Sequence, residues 1–301
     1  MRPKENLPWM FVLVFVAGCL CFQSLGDDPL SVVDPNGKPE RVADGFKFTE
    51  GPVWSPSGSV YFSDIPNQRI HQWSKKKGLS TVREESGGAN GLYFDSKGNL
   101  VACEGVARRL TSMDDQGRIQ VLASEYAGAR LNSPNDLWID PKGGIYFTDP
   151  RYGNQDDLEQ DGMHVYYLKP EGAELIRVID DMKRPNGLVG TPDGKKLYVA
   201  DHGGDKTYVY DIETDGTLQN RILFAEQGSD GMTMDERGNI YLTSQAVDVY
   251  SPEGKKITTI PTPETPANVC FGGKRGKTLF VTARSSLYAV EMKVRGIQWK
   301  E

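Results

Sequence analysis

The sequence is poor in the residues that soft-metal and acyl-enzyme chemistry need: among 301 residues there are 3 His and 4 Cys. His71, His164 and His202 stand far apart, and no Gly-x-Ser-x-Gly or His-Glu-x-x-His string occurs, so a serine triad and a zinc peptidase are poorly supported. No run of Lys or Arg is long enough to neutralise several phosphates, and 35 basic against 41 acidic residues give a formal net charge of −6. That argues against a nucleic-acid-binding surface. The apolar run near the start, Trp9 to Phe22, has 14 residues, fewer than the roughly 20 that a membrane-spanning helix needs.

Arg2 and Lys4 precede that run, and small and polar residues follow it before Asp27. This is the layout of a secretory signal. The expected organisation is a signal over residues 1–26, a linker over 27–39 and one folded domain over 40–301. Two cleavage sites compete: after Ser24-Leu25-Gly26, or before Cys19 in Val16-Ala17-Gly18-Cys19, which resembles a bacterial lipoprotein box. The expected location is therefore periplasmic or extracellular, either free or as a lipoprotein anchored at Cys19. Only Cys103 and Cys270 remain in the folded part, and a disulfide between them is neither required nor excluded.

What the chain has in abundance is 33 Gly and 18 Pro, which interrupt helices and favour strands and turns. Six segments share one pattern: a polar residue, usually a Gly next, a short apolar run, a tight turn and a second apolar run with an aromatic. They begin at Glu50, Asn90, Asn135, Asn186, Asp230 and Asn268, with spacings of 40, 45, 51, 44 and 38 residues. Turns such as Asp95-Ser96-Lys97-Gly98 and Asp140-Pro141-Lys142-Gly143 suit tight reversals. Second runs such as Tyr146-Phe147-Thr148-Asp149 suit strands. A repeat of about 40 residues made of about four strands predicts an all-β fold, a six-bladed β-propeller. The last repeat has room for only three strands, so Glu40-Arg41-Val42-Ala43 is expected to close the ring.

In a propeller the first strand of each blade lines the central channel, so the six opening residues converge at one mouth. The second strand returns to the same face with a further polar set: Asp64, Glu104, Asp149, Asp201 and Ser244. Carboxylate and amide oxygens without Cys or His are hard ligands, suited to Ca²⁺ or Mg²⁺. The same ring would also serve merely to start strands and hold a water column, since Asn and Asp before Gly are common turn formers. Glu50 breaks that series, being a poor turn residue and a good bidentate ligand.

Glu50-Gly51-Pro52-Val53-Trp54, Asn132-Ser133-Pro134-Asn135-Asp136, Tyr146-Phe147-Thr148-Asp149-Pro150 with Tyr152-Gly153, Pro185-Asn186-Gly187 and Asp230-Gly231-Met232 together resemble the senescence marker protein and gluconolactonase-like family. The resemblance covers about residues 40–295. It implies a six-bladed propeller with one divalent metal, commonly Ca²⁺ and sometimes Zn²⁺ or Mg²⁺, that hydrolyses sugar lactones. By motif, Glu50, Asn186 and Asp230 match the metal ligands, Asn135 the Asn at the metal that contacts substrate or a ligand water, and Asp230 the residue that activates water, so Asp230 and Asn135 are the expected catalytic residues and Asn135 joins the metal site. Animal members carry an Arg where this chain has Ser133, so the sequence resembles the bacterial gluconolactonase branch. The implied reaction is metal-assisted opening of the ring ester by water. Phosphotriester hydrolysis on the same scaffold and a noncatalytic extracellular binding propeller are the alternatives.

Three other features draw notice. Gly272-Gly273-Lys274-Arg275-Gly276-Lys277-Thr278 resembles a phosphate loop but has the wrong spacing and a strand after it, which favours a basic hairpin turn. Asp157 to Gly162 resembles the start of a calcium loop, yet Leu168 stands where a bidentate Glu is required, and the segment reads as a solvated insertion. His202, just after Asp201, is placed to aid proton transfer or simply to sit in an exposed loop.

Overall fold

The second runs are near-continuous apolar and β-branched stretches, so these strands are buried on both faces while the backbone pairs on both sides. The computed structural model describes residue 1 and residues 31–297. The chain divides into two units, Met1–Ser31 and Val32–Glu301, and the second carries the fold. The leader features, including Trp9 to Phe22, Cys19 and Ser24 to Gly26, lie outside the described residues. Among the described ones no helix is long and apolar enough to cross a membrane.

Six four-stranded antiparallel sheets form the six blades of a β-propeller. Their first strands are Thr49–Trp54, Ala89–Phe94, Leu137–Ile139, Pro185–Gly190, Met232–Met234 and Pro266–Gly272. The sixth blade has three strands from the carboxyl end and takes its fourth from Glu40–Asp44, which pairs antiparallel with Ser286–Glu291, Asp44 opposite Ser286. This closure joins the two ends of the domain, as the missing strand after Asn268 leads one to expect.

The core lies between blades. Trp138, Tyr146, Leu188, Leu197 and Val199 fill the seam of blades 3 and 4, and Trp54 of blade 1 stacks on Phe280 of blade 6 with ring centroids 5.6 Å apart. Each such side chain contributes about 1.5–3 kcal/mol by leaving water. Cys103 and Cys270 are both free and buried, in separate core clusters.

Two sequence expectations change here and a third holds. Part of the segment read as a linker belongs to the domain: Val32 is buried in the blade 6 core and its carbonyl accepts from Lys293 N. An apolar residue beside a strand end buries itself if the strand offers a face. The 157–162 insertion is not simply solvated. Its carboxylates pair with Arg108, Arg151, Arg130 and Arg177, and Gln160 Nε2 donates to the Ala129 carbonyl at 2.8 Å, tying it to the Glu125–Arg130 hairpin. Arg108, Arg130 and Arg177 are 16 or more residues from their partners, and local pattern does not reveal such pairs. The basic Gly272 to Thr278 string is a turn joining Pro266–Gly272 to Thr278–Ala283, as its strand pattern indicated.

Candidate active site

In four of the six repeats the residue after the polar opener is Gly, and neighbouring first strands touch there. A Cβ on Gly187 would lie 2.5 Å from the Asp230 carbonyl oxygen, and one on Gly231 would lie 1.9 Å from the Asn268 side chain. Close approach, rather than a turn, is what these glycines permit. The first strands line a small, partly open pocket of about 30 Å³, with Asp136, Leu92, Leu137, Leu188, Asn268 and Val269 among its walls. That is room for about one water and too small for a sugar lactone.

Glu50, Asn186 and Asn268 are buried and Asp230 is half-buried. Asn186 Nδ2 donates to Asp230 Oδ1 at 2.7 Å and to the Tyr152 hydroxyl at 2.7 Å. Both N–H groups of the amide are thus spent, and its Oδ1 is left as an acceptor. Glu50 is within electrostatic reach of Asp230, and its Oε2 accepts from Gly51 N at 2.9 Å. Asn135 is placed differently. Its backbone is fixed by Gly91 N and Thr148 O, while its side chain makes no hydrogen bond to Glu50, Asn186 or Asp230 among the described residues.

Burial raises the Glu50 carboxyl well above the ordinary range, and the charges of Asp230 and Asp136 push the same way. Burial likewise raises Asp230, opposed by His202, Asn186 and Arg284. Asp136 is pushed up to about 7, by burial first, against bonds from Leu137 N–H and Asn268. Three carboxyls that resist ionisation together are relieved by a proton or by a cation. The donors on hand, Glu50, Asp230 and the Asn186 carbonyl, are all hard oxygens, which fit Ca²⁺. Among the described residues no cage of three or more His, Cys, Asp or Glu forms; this mouth mixes acids with amides.

Asp136 and Tyr152 were not singled out as site residues from the sequence. Asp136 follows Asn135 directly, and Tyr152 sits in the quoted Tyr152-Gly153 motif, so both had a local signal but no visible partner. His202 is exposed, and its Nδ1 lies 3.1 Å from the Tyr152 hydroxyl.

The second polar set does not face the channel as further ligands. Asp149 accepts from the backbone N–H groups of Asn132 and Ser133, both at 2.7 Å. Asp201 accepts from Lys183 at 3.1 Å and Arg184 at 2.9 Å, and Asp64 from Lys47 at 3.1 Å and Phe48 at 3.2 Å. In each case the gripped amides stand three and two residues before a ring residue: Asn135, Asn186 or Glu50. Glu104 instead pairs with Arg83 and Arg109, both at 2.7 Å, and Ser244 has no carboxylate. Extended loops entering a strand leave amides unpaired, and an aspartate at the end of the next strand satisfies two at once. These aspartates aim the ring residues.

The sequence profile of the SMP-30/gluconolactonase/LRE-like region matches residues 48–285. The gluconolactonase of Zymomonas mobilis is 30% identical, over 88% of this chain and 84% of that one. The solved gluconolactonase of Xanthomonas campestris is 31% identical with a TM-score of 0.81, over 86% of this chain and 91% of that one. The diisopropyl-fluorophosphatase of Loligo vulgaris is 25% identical, over 80% of this chain and 87% of that one. The profile spans most of the propeller, from the strand that carries Glu50 to the last blade, and the chain belongs to the SMP-30/gluconolactonase/LRE-like family.

Proposed function

We propose that the protein is a lactonase that opens a sugar lactone with the help of a divalent cation, Ca²⁺ in the first place, held by Glu50, Asn186 and Asp230 with Asn135 alongside. The gluconolactonase relatives support the reaction class. The observation that carries the site is the Asn186–Asp230 hydrogen bond beside the raised Glu50 carboxyl. When bound, the cation supplies positive charge that polarises the ring-ester carbonyl.

The chain's own groups do the rest. Asn186 holds Asp230 Oδ1, which leaves Oδ2 to accept a proton from the attacking water. The water oxygen bonds to the carbonyl carbon, the bond to the ring oxygen breaks, and the proton on Asp230 passes to the departing alkoxide, giving a hydroxy acid. No side chain need bond covalently to the substrate.

The test is a lactone panel assayed on metal-free and Ca²⁺-restored protein, with diisopropyl fluorophosphate in parallel because of the squid relative. Lactone turnover that appears only with Ca²⁺ supports the reading. Turnover of the phosphorus substrate alone favours the phosphotriesterase, and binding without turnover of either favours a noncatalytic propeller. Localisation is a separate proposal: export, with the leader removed up to Gly26 or Gly18, to be checked by intact mass of the protein from its native host.

A further inference from the structure

Most arginines near this mouth or on the blades are answered by acids: Arg83, Arg109, Arg130, Arg151, Arg177 and Arg221 each have a carboxylate within salt-bridge distance. Arg184 is different. Among the described residues it has no carboxylate partner, and its Nε is buried without a hydrogen bond. Its guanidinium lies over the Tyr152 ring, 4.9 Å from the centroid. The backbone is anchored on both sides, the N–H by Asp201 at 2.9 Å and the carbonyl by Gly203 N at 3.4 Å. Tyr152 meets Asn186 through its hydroxyl, so Arg184 stands one aromatic ring away from the proposed reacting centre. Arg284, exposed and also without a carboxylate partner among the described residues, adds positive charge that Asp230 feels.

We propose that Arg184 is a substrate-recognition residue and that the lactone it selects bears a carboxylate distal to the ring ester. A planar guanidinium offers parallel N–H donors that match the two oxygens of a carboxylate, whereas a hydroxyl answers one and leaves the other unpaired. Stacking on Tyr152 fixes the plane of the fork before the ligand arrives. The assignment rests on the lactonase reading and deepens it: Tyr152 forms a wall between the ester-opening end of the mouth and an anion-binding end.

D-glucono-1,4-lactone and D-glucaro-1,4-lactone form a matched pair, differing only in a hydroxymethyl against a carboxylate at C6. With the Ca²⁺-loaded full chain, kcat/KM should favour the glucarolactone at least tenfold at low salt, and the preference should shrink as ionic strength rises. Arg184→Gln should lower that preference at least tenfold, chiefly through KM, and Arg184→Lys should restore part of it by returning the charge. If Arg184→Gln fails to fold, the salt dependence of the unaltered protein and the Arg184→Lys variant still decide. Equal turnover of both lactones with no salt effect overturns the assignment and leaves the lactonase reading standing; turnover of neither, nor of any lactone in the panel, removes both.

Discussion

Asn186 and Asp230, donated by adjacent blades 44 residues apart in the sequence, are joined by a 2.7 Å hydrogen bond from the amide to Oδ1. The bond leaves Oδ2 of Asp230 free for a proton and, by using the amide N–H, leaves the Oδ1 of Asn186 free for a cation.

Asp230→Asn should abolish lactone hydrolysis, by a factor of about 10² to 10⁴, while the propeller stays folded. Asn keeps an oxygen for Asn186 but carries no charge and cannot accept the proton from water. Relief of repulsion with Glu50 offsets part of the lost metal binding. Circular dichroism together with turnover at saturating Ca²⁺ checks this; rates near those of the unaltered protein would move the catalytic role elsewhere. Asp161→Asn, in the insertion, should leave turnover nearly unchanged.

Asp201→Asn should weaken Ca²⁺ binding by about 10- to 100-fold, the range for groups that orient a ligand. Both oxygens of Asp201 accept backbone N–H groups, from Lys183 on one and from Arg184 and Gly204 on the other, so an amide would place a donor against a donor. Glu104→Gln is the comparison. It should lower stability, because Arg83 and Arg109 lose their buried acid, with little change in Ca²⁺ affinity, because Glu104 grips no loop leading to a ring residue. Equal effects of the two variants on affinity would mean that the clamp is general stabilisation.

Gly187→Ala should destabilise the domain by about 2–3 kcal/mol, as overpacking does. The added methyl meets a backbone carbonyl, that of Asp230, at 2.5 Å, which cannot rotate away as a side chain can. Urea denaturation measures the loss, and an unchanged midpoint would show that the first strands can separate at the axis.

Acid should weaken the fold through His71 and His164. Burial lowers both below their ordinary value of 6.5, outweighing Asp64 for His71 and Asp161 for His164. The unfolded chain therefore takes up these protons first. The associated stability is fully present above about pH 6.5, the unfolded value, and is lost as the pH falls from there through the lowered folded values. Denaturation midpoints between pH 7 and 5 should show this slope, and His164→Gln should flatten it; a slope unaltered by that variant would assign it to other groups.

The repeat of a polar opener, apolar run, turn and aromatic run is a local pattern, and it determined the number of blades, the strands facing the channel and the closing strand at Glu40–Asp44. The family motifs also pointed to Glu50, Asn135, Asn186 and Asp230, because each lies within a few residues of its own signature. Contacts between residues far apart in the chain were decided only in three dimensions. That Asp149 and Asp201 turn back to loop amides, that Gly187 is small to let Asp230 pass, and that Tyr152 reaches Asn186 each join residues 16 or more apart in the chain. Periodicity carries no information about such pairs. Arg184 makes the point most plainly: as a letter it is one basic residue among 35, and only the packing of Tyr152 beneath it and the absence of an acid beside it among the described residues distinguish it from the rest.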